Sequence, residues 1–207
     1  MANVELCRPS ELGRADWKEM QDIAGEAFMS SLEKSKSEID YLIGADLPGR
    51  YASSHYDPNT EVGKKFNDNQ SFTKPTVARV LFNGKLAGWG YSANNVSGSN
   101  EAIRTAKRLS IVKNYLWLRE IVVKPEHQKL GIAKDIGRSL LEDAMDLQPV
   151  TIYAWPEEDP NFIGQWLDKL GFVPTGDISV KLFGKNSEPT KQVRMLAPSV
   201  KSVLARL

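Results

Sequence analysis

Val122-Val123-Lys124-Pro125-Glu126-His127-Gln128-Lys129-Leu130-Gly131-Ile132-Ala133-Lys134 carries more information than any other stretch of this chain. A strand-like run ends at a proline, which has no N–H to continue a ladder. A short polar turn follows. Then come a glycine and, two positions later, a small residue, at the mouth of an amphipathic helix. Such a turn points several backbone N–H groups at one spot in front of a helix N-terminus, where anions are stabilised. A diphosphate can be held there without a dedicated charged pocket.

On the C-terminal side, Ile132, Ile136, Leu140, Leu141, Ala144 and Met145 recur at helical spacing and predict about four turns. Val150 to Trp155 reads as a buried strand and Pro160 to Leu170 as a helix, with Gly171 as its stop. Two further strands are expected, Ile178 to Phe183 and Gln192 to Leu196. Pro198 to Leu207 has Val200, Val203, Leu204 and Leu207 at the spacing of a short amphipathic helix. Its apolar face would dock on the domain or on a second copy, giving a homodimer.

On the N-terminal side, Asn114 to Val123 is a strand rich in aliphatic and aromatic residues. Val77 to Leu81 and Leu86 to Ser92 flank Asn83-Gly84, the strongest short-range hairpin signal. Residues 3–8 suit a first strand. Leu12, Trp17, Met20, Ile23, Ala24, Ala27 and Phe28 mark a helix from Glu11 to Met29, and Ser31 to about Ile43 suits a second. Gly44 to Lys74 is a long polar stretch carrying Tyr51, Tyr56, Phe66 and Phe72, more aromatics than a plain linker uses. Asn94 to Asn100 reads as loop and Asn100 to Leu109 as a short basic helix with Arg104, Lys107 and Arg108. The order β-α-α-β-β-β-α-β-α-β-β gives one α/β domain, residues 1–207, with a mixed sheet.

Composition narrows the function classes. With 207 residues, 41% hydrophobic and 26% charged, the chain reads as an ordinary globular protein with a full core. A net charge of +1 gives no global reason to expect nucleic acid or an acidic membrane. One cysteine, Cys7, excludes an internal disulfide and a cysteine-based zinc site, and two distant histidines, His55 and His127, have no ligand spacing, so no metal is expected. Cys7 is expected as a buried small residue of the first strand, and His127 in the turn, facing water. Charged residues near the start and the lack of a long apolar run point to a cytoplasmic protein.

Val123-Lys-Pro-Glu-His-Gln128-Lys-Leu-Gly131-Ile-Ala133 resembles the acetyl-CoA signature of the GNAT superfamily of N-acetyltransferases, a strand ending in V-x-P followed by [RQ]-x-x-G-x-[GA] and a helix. The element order and the helix ending in Leu170-Gly171-Phe172 are similar to that family too. A dinucleotide fingerprint does not fit, because Gly131-x-Ala133-x-x-x-Gly137 has the wrong spacing. Phe183-Gly184-Lys185-Asn186 lacks the upstream glycine of a P-loop. The resemblance implies a mostly antiparallel sheet flanked by helices, with acetyl-CoA in a cleft between two splayed central strands. It also implies that Ile121, Val122 and Val123 present backbone groups to the pantetheine arm. Gln128, Lys129, Leu130, Gly131, Ile132 and Ala133 would wrap the diphosphate. Gln128 stands where arginine is commoner, and Lys129 and Lys134 would supply the missing charge. Segments 44–76 and 94–113, with the first two helices, would shape the acceptor side, and Asp40, Asp46, Asp57 and Glu61 would attract a cationic amine.

Acetyl transfer to a primary amine needs a base, because an alkylamine with a pKa near ~10.4 is mostly charged at neutral pH. Glu120 is the first candidate. Strand alternation puts it on one face with Leu118 and Val122, and a bulge would break that parity, so its face stays open. Trp117 fills another position where some relatives place glutamate. For protonation of the leaving thiolate, the position where many relatives carry tyrosine holds Leu167, beside Trp166. Tyr153 or water would substitute. The usual asparagine falls at Pro160 or, one register on, at Asn161, so Asn161 and Trp166 are the cofactor-side candidates of this helix. Two alternatives stay open: a non-catalytic acyl-CoA-binding or sensor protein of this fold, and a nucleic-acid or protein interaction module using the Arg104–Arg108 helix.

Overall fold

Alternating and helical apolar patterns become two compact groups of elements in a computed structural model, which describes residues 3–31, 72–95, 115–147, 151–154, 162–181, 190–197 and 199–207. The expected second helix, most of the 44–76 segment, nearly all of the 94–113 insert and Asn161 lie outside the described residues. The elements are β1 (Asn3–Cys7), α1 (Arg14–Ser31), β2 (Phe72–Phe82), β3 (Lys85–Asn95), β4 (Tyr115–Val123), α2 (Ile132–Asp143), β5 (Thr151–Ala154), α3 (Phe162–Lys169), β6 (Val173–Lys181), β7 (Thr190–Ala197) and α4 (Val200–Leu204). It is a mixed α/β fold, with a mostly antiparallel sheet flanked by helices.

The first unit contains β1, α1, most of β2 and β3, the end of β4 and most of α2. Its strands neighbour one another in the order β1-β2-β3-β4. β1 runs antiparallel to β2, with Asn3 opposite Leu81 and Cys7 opposite Val77. Asn83 and Gly84, at φ 53° and 75°, make the two-residue hairpin turn that Asn-Gly favours. The hairpin is longer than its apolar runs suggest: β2 begins at Phe72, so residues 72–76 of the expected loop are strand, and β3 runs to Asn95.

α1 starts later than expected. Pro9–Glu11 form a short 3₁₀ turn, and Gly13 precedes the helix. The Asp16 carboxylate accepts the Gly13 N–H at 2.9 Å, half of a capping box. The same carboxylate pairs with Arg79 of β2 at 3.1 Å. Trp17, Met20 and Ile23 are buried with Val77, Val80, Leu86 and Trp89. Trp89 donates its indole N–H to the Met20 carbonyl at 2.9 Å, which fixes α1 against β3. Residues 86–92 are buried without a break, so β3 has both faces covered.

The second unit contains the start of β4, β5, α3, β6, β7 and α4, with strands neighbouring in the order β4-β5-β7-β6. β4 and β5 are parallel, Tyr115 to Trp117 opposite Thr151 to Tyr153. β7 is antiparallel to both β5 and β6. α3 ends in a Schellman turn: Gly171 is at φ 87°, its N–H donates to Asp168 O at 2.8 Å, and Phe172 N–H donates to Leu167 O at 3.0 Å. Phe172 is buried, and β6 starts at once at Val173 rather than near Ile178. The C-terminal segment does form a short helix. Ser199 caps it by accepting the Ser202 N–H at 3.1 Å, and Val200, Val203 and Leu207 are buried, with α4 against β7 of its own chain.

Cys7 is half-buried rather than fully so, and its thiol lies 3.7 Å from the Val77 carbonyl. Burial pushes this thiol above its ordinary value, with the nearby Arg79 charge pulling the other way. No helix among the described residues is long and apolar enough to cross a membrane.

Candidate acyl-CoA site

β4 is held to β3 one residue beyond its end, where Lys124 N–H donates to Ala87 O at 2.9 Å. Pro125 then stops the ladder and opens a 3₁₀ turn, Pro125–His127. His127 N–H donates to Lys124 O at 2.9 Å and Gln128 N–H to Pro125 O at 3.3 Å. The Gln128 side chain reaches back to the Val123 carbonyl at 3.4 Å, tying the turn to the strand end. Lys129 and Gly131 are both left-handed, at φ 65° and 86°. For lysine that conformation costs roughly 1–2 kcal/mol, so the surroundings must hold it. His127, expected to face water, does so only in part. It is half-buried, with its ring 5.2 Å from that of Phe82 at the hairpin end.

Asp135 N–H donates to Gly131 O at 3.1 Å, which opens α2. The N–H groups of Ile132, Ala133 and Lys134 therefore precede the first helical hydrogen bond and point out of the helix start. A Cβ placed on Gly131 would meet nothing within 4 Å, so open space lies over the turn. Gln128, Lys129, Leu130, Gly131 and Lys134 are exposed, and Ala133 is half-buried. Leu130, an apolar side chain, is 60% exposed. Ile132 is only 3% exposed, so it offers its backbone N–H to the turn while its side chain anchors the helix. The geometry combines free N–H donors, a helix dipole, two lysines and space for a ligand, and these fit the diphosphate of an acyl-CoA.

Glu120, Ile121, Val122 and Val123 are all half-buried, without the in-and-out alternation of a regular strand. These four and the turn residues Gln128 to Lys134 fall in one unit. Tyr153 and Trp166 belong to the other. Tyr153 pairs with Trp117 and Leu196 through the backbone. Trp166 is half-buried on α3, and Leu167 beside it is 2% exposed. Trp117 is buried at 4%. Among the described residues, no cluster of His, Cys, Asp or Glu has the makings of a metal site.

Two glycines of β3 carry no mark in the sequence beyond the alternation Gly88-Trp89-Gly90. A Cβ on Gly88 would lie 2.7 Å from the Val122 carbonyl oxygen and 3.1 Å from Ile132 Cγ2. On Gly90 it would run into Ile136 Cγ2 and lie 3.0 Å from the Glu120 carbonyl. The missing side chains let α2 approach the sheet. A strand glycine signals close approach of something, but only the tertiary structure says of what.

No protein-family model matches the sequence, and no curated protein matches it by sequence. Solved structures do match by shape. The ribosomal-protein-S18-alanine N-acetyltransferase from Escherichia coli superposes with a TM-score of 0.55, at 14% identity over 96% of this chain and 94% of that one. The PaiA N-acetyltransferase from Thermoplasma acidophilum, solved in complex with coenzyme A, gives 0.55 at 11% identity over 93% and 98%. Arabidopsis thaliana NAA60, in complex with a bisubstrate analogue, gives 0.58 at 8% identity over 94% and 97%. The fold is that of the GNAT N-acetyltransferases. At these identities the likeness defines the fold and leaves the chemistry to the residues themselves.

Proposed function

We propose that this chain is an acetyl-CoA-dependent N-acetyltransferase that acetylates a primary amine by direct attack. The observation that carries the proposal is the Gln128–Lys134 turn, with its free helix-start N–H groups beneath open space, at the end of β4 in a GNAT fold. Gln128, Lys129, Leu130, Gly131, Ile132, Ala133 and Lys134 hold the diphosphate, and the backbone of Ile121 to Val123 takes the pantetheine arm. Acetyl-CoA supplies an activated thioester acyl group.

Glu120 takes the proton of the attacking amine. A strand N–H near Val122 meets the negative charge that develops on the acyl oxygen. The leaving sulfur receives its proton from water. Structural neighbours are described as acting on a ribosomal protein and as binding a Gag peptide, so both protein N-termini and small amines belong in the substrate panel.

Calorimetric titration with acetyl-CoA, CoA and ATP tests the binding half: both CoA species bind and ATP does not. A panel of amines and peptides then tests transfer. Glu120→Gln is expected to lower turnover by about 10²-fold or more, the usual worth of a general base, with CoA affinity unchanged. Buried Leu167 favours one second reading, an acyl-CoA-binding protein without turnover. That reading predicts CoA binding with no transfer to any amine and no effect of Glu120→Gln.

A further inference from the structure

Gly88 lies at the neck of the turn. A Cβ on it would touch Val122 O at 2.7 Å and Val123 Cα at 3.3 Å, the residues that lead into the turn. It would also touch Ile132 Cγ2 at 3.1 Å, the first helical residue after the turn. Both ends of the Lys124–Gly131 segment therefore close over one hydrogen atom of β3. The neighbouring Ala87 carbonyl accepts the Lys124 N–H at 2.9 Å, so the neck is also pinned from the side. Two of the three contacts are backbone, which cannot rotate away.

Gly90, two residues on and on the same face, differs. Its Cβ would meet Ile136 Cγ2, Leu140 Cδ1 at 3.1 Å and Glu120 O at 3.0 Å. Two of those contacts are side-chain ends one turn and more into α2, and the third is the Glu120 carbonyl of β4, two residues before the Val122 carbonyl that Gly88 meets.

We infer that Gly88 is a positioning residue for acyl-CoA binding, setting the height of the strand end and helix start that flank the diphosphate turn. Gly90 serves the packing of α2 and of β4 at Glu120, short of the strand end that leads into the turn. The inference rests on the acyl-CoA site proposed above. A methyl group at 88 wedges Val122–Val123 away from β3 and lifts Ile132, so the turn N–H groups no longer converge. A methyl at 90 strains the helix further along and leaves the turn in place.

The test compares Gly88→Ala with Gly90→Ala in the full chain, by CoA titration and by amide hydrogen exchange without ligand. Gly88→Ala is expected to weaken CoA binding by about tenfold or more, the worth of one charge-assisted hydrogen bond. Exchange should quicken across residues 123–134 and stay unchanged elsewhere. Gly90→Ala is expected to keep CoA affinity within about twofold while losing stability. Ile136→Ala, itself destabilising at a fully buried position, should cost less stability in the Gly90→Ala background than in the unaltered protein. Gly88→Ala/Ile132→Ala should stay weak for CoA, because the Val122 carbonyl still blocks the methyl; where Gly88→Ala is only marginally folded, both single variants are titrated in a stabilising osmolyte.

Equal losses of CoA affinity at 88 and 90, or none at 88, overturn the inference. If the unaltered protein binds no CoA, the acyl-CoA site itself is wrong, and hydrogen exchange alone judges the neck. Faster exchange confined to 123–134 in Gly88→Ala then supports it, and uniform exchange overturns it.

Discussion

Gly131 and Gly84 make a matched pair for testing what the turn is for. Both are left-handed, at φ 86° and 75°, and a Cβ on either would meet nothing within 4 Å. Alanine at either position therefore costs only backbone strain, roughly 1–2 kcal/mol for an L-residue in this region. Stiffening of the unfolded chain offsets about 0.4–1 kcal/mol of it. The net is about 1 kcal/mol at each site, a drop in Tm of about 2–4 °C for a chain this size. Ligand binding should separate the two. At Gly131 the methyl projects into the space assigned to the diphosphate and displaces at least one charge-assisted N–H contact, worth about 1.5–3 kcal/mol. CoA affinity should fall by roughly ten- to a hundredfold in Gly131→Ala and stay unchanged in Gly84→Ala. The control is stringent, since Gly84 is two residues from Phe82, which packs on His127 of the turn. Calorimetric titration and thermal denaturation of both variants measure the two effects. Equal CoA affinity in the two variants would refute the assignment of the open space to the diphosphate.

At Gly171, φ 87°, the same substitution should cost about as much as at Gly84, roughly 1 kcal/mol, because the Cβ would meet only the guanidinium end of exposed Arg206, which can swing aside. Urea denaturation of Gly171→Ala should show that loss, and adding Arg206→Ala should change it little. Trp89→Phe removes the 2.9 Å bond to the Met20 carbonyl, which keeps its helical partner, and leaves a void in the core, for a cost of about 1–3 kcal/mol by the same measurement. Burial raises the Cys7 pKa above its ordinary 9.0, so the native state holds this proton more tightly than the unfolded chain. The stability that follows is fully present below pH 9.0 and is lost as pH rises through the higher folded value. Cys7→Ala should flatten the alkaline limb of the stability curve, and native Cys7 should react with iodoacetamide more slowly than the unfolded chain at pH 9.0.

Local chemistry made much of this protein legible from its residues. Asn83-Gly84 could only be a tight hairpin, because both positions take positive φ cheaply. Pro125 had to end β4, and Gly171 had to end α3, since each removes or permits one backbone state. The spacing of Ile132, Ile136 and Leu140 gave α2 its buried face, and all three are in the core. The turn from Pro125 to Gly131 and the helix that follows it were readable for the same reason, because they are built from consecutive backbone groups. Tertiary packing determined what sequence spacing does not encode. Phe82 covers part of the His127 ring, from 45 positions earlier in the chain. β6 began at Val173, since the Schellman turn delivers the chain straight onto β7. α4 closed on β7 of its own chain, a choice its apolar pattern left open. The glycines at 88 and 90 mattered through what approaches them, a strand end and a helix about 30 or more residues away in sequence, a separation that no local pattern can report.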